Sequence, residues 1–165
     1  MFEKSVIFGY AFTANEGCFG VDDGGFSVEL HEDGTFIHKT YVFDFIEKTR
    51  KEYVLTDETV EKIKRSLFEI ITDLENFPNH IDNGSCDGSC STFAILGKEI
   101  TDDNISYTDI DEIKVENPRY YDEYKNVIEQ ESLLLYLFCS VSKLLENECI
   151  ELYLDSIKTK RNGDI

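Results

Sequence analysis

Phe26, Val28 and Leu30 alternate with Ser27, Glu29 and His31, and this period-two run constrains the fold more than any other stretch. One side of such a segment is apolar and the other polar, the pattern of a half-buried strand. Glu32-Asp33-Gly34 follows, and Thr35 to Phe45 returns as a second β-branched and aromatic run. Asp-Gly between two such runs marks a hairpin, because a tight turn needs residues that tolerate positive φ. Residues 5–13 predict a preceding strand, and Glu52 to Leu55 predicts a short extension of the meander after a charged Glu47–Lys51 turn.

The period then changes. Thr56-Asp57-Glu58 offers a capping hydroxyl followed by acids in a first turn, a helix start. Val60, Ile63, Leu67, Ile70, Ile71, Leu74 and Phe77 recur at three- and four-residue spacing, so a helix over about 57–77, stopped by Pro78, is predicted. Residues 79–91 form a polar, turn-rich loop, Thr92 to Leu96 reads as a strand, and Glu99 to Thr101 as its short partner across Gly97-Lys98. Asn117-Pro118 opens a second helix over about 118–147, with an unbroken apolar run from Leu133 to Cys139 that predicts cover on most sides. Ile150 to Leu154 reads as a final strand or a short helix, and 158–165 as a frayed tail. The order of strands, helix, strands and long helix predicts an α+β fold: a mostly antiparallel sheet with the two helices packed on it, in a single domain over 1–157. No internal repeat is visible.

Length and composition fit that reading. At 165 residues roughly 70% of the unfolded surface can be buried, and 41% hydrophobic with 13% aromatic residues is a globular profile. A formal charge of −18 repels nucleic-acid phosphates and anionic lipid, and favours basic partners. The first residues lack a basic n-region and a long apolar h-region. The Leu133–Cys139 run is far shorter than the ~18 residues a membrane span needs. A cytoplasmic location is expected, where the five cysteines stay reduced.

The stretch from Gly24 to about Asn104 resembles a loose group of small bacterial domains. The pieces that carry the resemblance are Gly24-Gly25-Phe26-Ser27-Val28, Asp33-Gly34-Thr35-Phe36, the helix opening Leu55-Thr-Asp-Glu-Thr-Val60, Asp87-Gly88 and Leu96-Gly97-Lys98. It covers about half the chain and implies the same strand–helix–strand topology. No activity or functional residue comes with it.

Two constellations carry candidate chemistry. Cys86-Asp-Gly-Ser-Cys90, with His80 and Asp82 upstream, offers two thiolates, an imidazole and a carboxylate, a donor set suited to tetrahedral zinc. A second Cys/His pair is missing, so the bland reading is an exposed turn. A cysteine-dependent enzyme on the same 80–90 loop is the related alternative, although no signature of a base-activated thiol surrounds Cys18, Cys86 or Cys90. The glycines at 17–25 lack both phosphate-loop spacings, and Asp22 and Asp23 would repel an anion. They also lack the spacing of a calcium loop.

The second constellation is the acidic stretch from Glu99 to Glu131, where eleven acids oppose only Lys114, Arg119 and Lys125, with Tyr107, Tyr120, Tyr121 and Tyr124 among them. Carboxylates steer a basic protein by long-range field, and tyrosines anchor it by burial. Asp102, Asp103, Tyr107, Asp109, Asp111 and Glu112 are the predicted contact residues. The alternative is a solvated acidic surface whose tyrosines belong to the core. The resulting expectation is a non-catalytic binding or inhibitory module, an immunity-type protein for instance. It has no cofactor and binds neither nucleic acid nor membrane, and self-association stays open.

Overall fold

A computed structural model describes residues 2–13, 25–42, 46–82, 90–103 and 114–150. The chain forms two compact units, Met1–Ile105 and Ser106–Ile165. The fold is α+β, with a mostly antiparallel sheet and two main helices.

The first unit holds β1 (Val6–Thr13), β2 (Gly25–His31), β3 (Thr35–Val42), β4 (Ile46–Val54), α1 (Asp57–Ile70), β5 (His80–Ile81), β6 (Cys90–Ile95) and β7 (Lys98–Asp103). The strands lie in the order β4-β3-β2-β1-β6-β7-β5. Every pairing is antiparallel except that of β5 with β7. The strand that comes first in sequence is thus central. β1 holds the β2–β3–β4 meander on one side and the β6–β7 hairpin on the other.

Register explains why this arrangement is stable. Phe8 stands opposite Leu30 and Ile95, and Tyr10 opposite Val28 and Phe93. Leu30 in turn faces Phe36, and Phe93 faces Ile100. All eight are between 0% and 1% exposed, so one face of the sheet is a continuous apolar layer across five strands. Burying each such side chain is worth about 1.5–3 kcal/mol before the entropy of ordering it is subtracted. Tyr10 meets Phe93 edge-on at 4.9 Å between ring centroids, and its hydroxyl is bonded to Ser91 Oγ at 3.1 Å. The opposite face carries small residues at its centre, with Gly9, Ala11, Ser27, Thr92 and Ala94 alternating with that layer. A Cβ at position 9 would come within 2.7 Å of the Phe2 ring, so a side chain there would displace it.

The predicted hairpin forms, and α1 is joined to its turn. Asp33 Oδ1 accepts the Thr35 N–H at 2.9 Å, a bond that lowers the Asp33 pKa from its ordinary value. Leu55 N–H donates to Gly34 O at 2.9 Å. Thr56 caps α1 by accepting the Thr59 N–H at 3.3 Å, and Val60, Ile63 and Leu67 form its buried stripe.

Two expectations for this unit need correcting. Helix α1 ends at Ile70 rather than near Phe77, because Ile71 leaves the helical region at φ −110°, ψ 82°. The apolar residues at 71, 74 and 77 mimic a helical stripe, but their segment is a series of turns. Lys98 Nζ donates to the carbonyls of Leu74, at 2.8 Å, of Glu75, at 3.1 Å, and of Phe77. Secondly, Glu47–Lys51 is not a turn but part of β4, whose nine residues are almost all exposed. An edge strand open on both faces needs no apolar alternation, and charges suit it. His38 lies on the same face as Phe36, next to the Phe26 ring at 6.0 Å.

In the second unit, α2 (Pro118–Glu146) begins where the Asn-Pro signal places it, with Asn117 Oδ1 accepting the Tyr120 N–H at 3.3 Å. Ile128, Glu131, Leu134, Leu137, Phe138, Val141 and Leu145 are buried. The 133–139 run is not covered all round, since Leu133 is 38% and Tyr136 63% exposed. The predicted segment 151–154 and tail 158–165 lie outside the described residues.

Two glycine substitutions test the turn geometry. Gly34 and Gly97 share φ +85°, but a Cβ at 34 would sit 3.2 Å from Leu55 O, whereas one at 97 meets nothing within 4 Å. Gly97→Ala should therefore cost about 1 kcal/mol from backbone strain alone, and Gly34→Ala measurably more, read as urea midpoints. Lys98→Met should lower stability by about 1–3 kcal/mol, since three carbonyls lose a charged donor together.

Candidate functional site

The described members of the zinc-type set, His80, Asp82 and Cys90, lie on or beside two strands that are not neighbours in the sheet. His80 lies on β5 opposite Thr101, and its Nδ1 is 3.1 Å from Thr101 Oγ1. Asp82 follows that strand and is exposed. Cys90 begins β6 opposite Asp103. β7 runs between these strands, which sets the backbones of β5 and β6 about 10 Å apart. Cys86 lies outside the described residues. Among the described residues no three His, Cys, Asp or Glu side chains converge as metal ligands.

The acidic segment divides between the two units. On β7, Glu99 is engaged with the chain start: its Oε1 accepts the Phe2 N–H at 2.7 Å, and that bond lowers its pKa. Asp102 is 0% exposed, so it is not presented to a partner at the surface. Alternation places it on the apolar face, opposite Ser91 on β6 and Ile81 on β5. Asp103 pairs with Cys90 at the strand end. Tyr107, Asp109, Asp111 and Glu112 lie outside the described residues.

What the second unit displays is a tyrosine cluster at the start of α2. Residues 114–120 are all exposed, and α2 has no buried residue before Ile128. Tyr120 and Tyr124, one helical turn apart, stack at 4.8 Å between centroids with their planes 35° apart. The backbone leaves helical geometry at Tyr124, with φ −111° and ψ 19°, so the helix is kinked there. Partial burial raises the Tyr120 pKa, and the charge of Glu131 and then Tyr124 add to this. Tyr120, Tyr124, Ile128 and Glu131 follow four- and three-residue steps along α2. The tyrosines therefore extend the buried stripe beyond the point where burial begins. Beside them Lys114 Nζ lies 5.0 Å from the Tyr121 ring centre, and the Tyr121 hydroxyl donates to Glu129 Oε1 at 3.3 Å.

Charge around this cluster is closer to balance than the whole segment suggests. Between residues 114 and 129 the acids Glu116, Asp122, Glu123 and Glu129 meet Lys114, Arg119 and Lys125. Lys125 Nζ lies 3.9 Å from Glu129 Oε1. The acids that tip the balance are at 109, 111 and 112. The exposure of Val115, Leu133 and Tyr136 was not foreseen, since one sequence marks an apolar residue without showing whether anything covers it. Among the described residues no helix is long and apolar enough to cross a membrane. Neither the known family models nor the curated proteins contain a match to the chain.

A pH dependence follows from His38. Burial, and then the charge of Lys51, hold its imidazole below the ordinary 6.5. As pH falls through that value the unfolded chain takes up the proton before the folded one, so stability present above it is progressively lost. His38→Gln should flatten the stability–pH slope just below neutrality, measured by chemical denaturation across that range.

Proposed function

We propose that this chain is a non-catalytic binding or inhibitory module, an immunity-type protein for instance, that engages and occludes a basic protein. The observation that carries the reading is the Tyr120–Tyr124 pair. It is stacked and partly exposed, and it continues a helical stripe that is buried from Ile128 onward. Tyrosine gives large contact area with few rotors to freeze, so such a pair is a suitable anchor for a partner surface. The net charge of −18 adds long-range attraction for a basic protein. Asp109, Asp111 and Glu112 supply steering charge and Tyr107 a further anchoring ring, whereas Asp102, buried in the sheet, has no contact role.

The mechanism needs no cofactor. Field-guided encounter is followed by burial of the tyrosine rings, and the partner's own working surface is covered. Stopped-flow association with a basic protein captured from lysate on the immobilised chain, at low and moderate salt, tests it. The association rate should fall steeply as salt rises, since screening shortens the reach of the field. Tyr120→Ala with Tyr124→Ala should weaken the complex by at least about tenfold through faster dissociation, with the thermal midpoint nearly unchanged. A salt-independent rate, together with unaltered affinity in the double variant, would sink the reading.

A further inference from the structure

The sheet ends on β4, and the direction of its unused backbone groups follows from one bond. Leu55 N–H donates to Gly34 O at 2.9 Å. Position 34 opposite 55 continues the register that places Thr35 opposite Val54, so 34 and 55 form a hydrogen-bonded pair of the β3–β4 ladder. Such pairs recur every second residue. Tyr53, Lys51 and Thr49 therefore turn their N–H and C=O groups toward β3, and Val54, Glu52 and Arg50 turn theirs outward. The register shifts between Thr40 and Tyr41, so the regular part of this edge runs from 49 to 54. No strand lies beyond it among the described residues.

We infer that a second copy of this chain pairs antiparallel along this edge, about a two-fold axis at Lys51. A two-fold pairing of β4 with itself must set outward groups against outward groups, which residue-centred axes at 50, 51 and 52 all do. An axis at 50 puts Arg50 opposite Arg50, and one at 52 puts Glu52 opposite Glu52. The axis at 51 instead places Arg50 opposite Glu52 of the second copy, twice by symmetry. Within one strand Arg50 Nη2 already lies 2.6 Å from Glu52 Oε1, and both side chains are about half exposed. The pairing closes these into a ring of four alternating charges, with Thr49 opposite Tyr53 on the other face. Opposite charges directly across a ladder stabilise it, and like charges oppose it.

Local charge favours the same choice of occupant. β4 carries Lys48, Arg50 and Lys51 against Glu47 and Glu52, a small positive excess in a chain of net −18. Two copies repel least where that excess lies. The unfavourable contact is Lys51 with its symmetry mate on the axis, which limits the strength of the dimer. This inference does not rest on the basic-partner reading, because it uses a different unit and an opposite local charge.

The test is sedimentation equilibrium of the full chain across a concentration series, at an ionic strength near 0.15 M where the Debye length is about 8 Å. The native chain should show a reversible monomer–dimer equilibrium. Arg50→Glu should weaken it by about tenfold or more, since both cross-strand pairs become repulsive. Arg50→Glu with Glu52→Arg should restore it, and Lys51→Thr should tighten it. Circular dichroism checks that each exposed substitution leaves the fold intact. A native chain that stays monomeric throughout overturns the proposal. So does a dimer that Arg50→Glu leaves unchanged.

Discussion

Everything in the first unit depends on the apolar layer that β1 shares with both its neighbours. Phe8 and Tyr10 each touch partners on two sides, from the meander and from the β6–β7 hairpin. Neither set of strands has a comparable layer of its own; the meander contributes Val28, Leu30 and Phe36, the hairpin Phe93, Ile95 and Ile100. Small sheets are marginal until one face is covered by a sufficient apolar area. β1 makes two partial layers into one. The small residues behind it, Gly9 and Ala11, allow close approach on the opposite face, where Phe2 lies over Gly9.

The acidity of the chain is distributed around this core rather than excluded from it. Glu99 serves the chain start, Asp33 holds a turn, and Glu58 and Glu61 reach Lys62 and Lys64 along α1. Such exposed pairs contribute little individually. Asp102 and Glu131 are different, since both are buried, and burial of a carboxylate is costly unless the surroundings compensate. A high acid count therefore does not translate into an acidic surface of the same size.

The strands and helix starts were legible because each has a local cause. Phe26, Val28 and Leu30 show their period, Asp33-Gly34 its turn, Thr56 and Asn117 their caps. What could not be read were features set by distant neighbours. The end of α1 is decided at Ile71 while the apolar spacing runs on to Phe77, and Lys98, more than twenty residues away, bonds the carbonyls that follow. β4 looked like a charged turn because an edge strand has no buried face to impose alternation. For the site, the tyrosines at the head of α2 were visible in the sequence, but the burial of Asp102 was not. Its neighbours in the sequence are polar, and its neighbours in space, Ile81 and Ser91, come from other strands.

The placement of β1 also sets a timetable. Its meander partners follow within a few dozen residues, but Phe8 meets Ile95 only after nearly ninety more have been made. On the ribosome, at about 5–20 residues per second, this leaves β1 several seconds as a bare edge, with Phe8 and Tyr10 half-dressed. Through that interval the nascent sheet is open to strand addition on both sides, at β1 and at β4. The charged β4 edge admits only a strand whose charges match its own, whereas the apolar β1 edge stays open until β6 arrives.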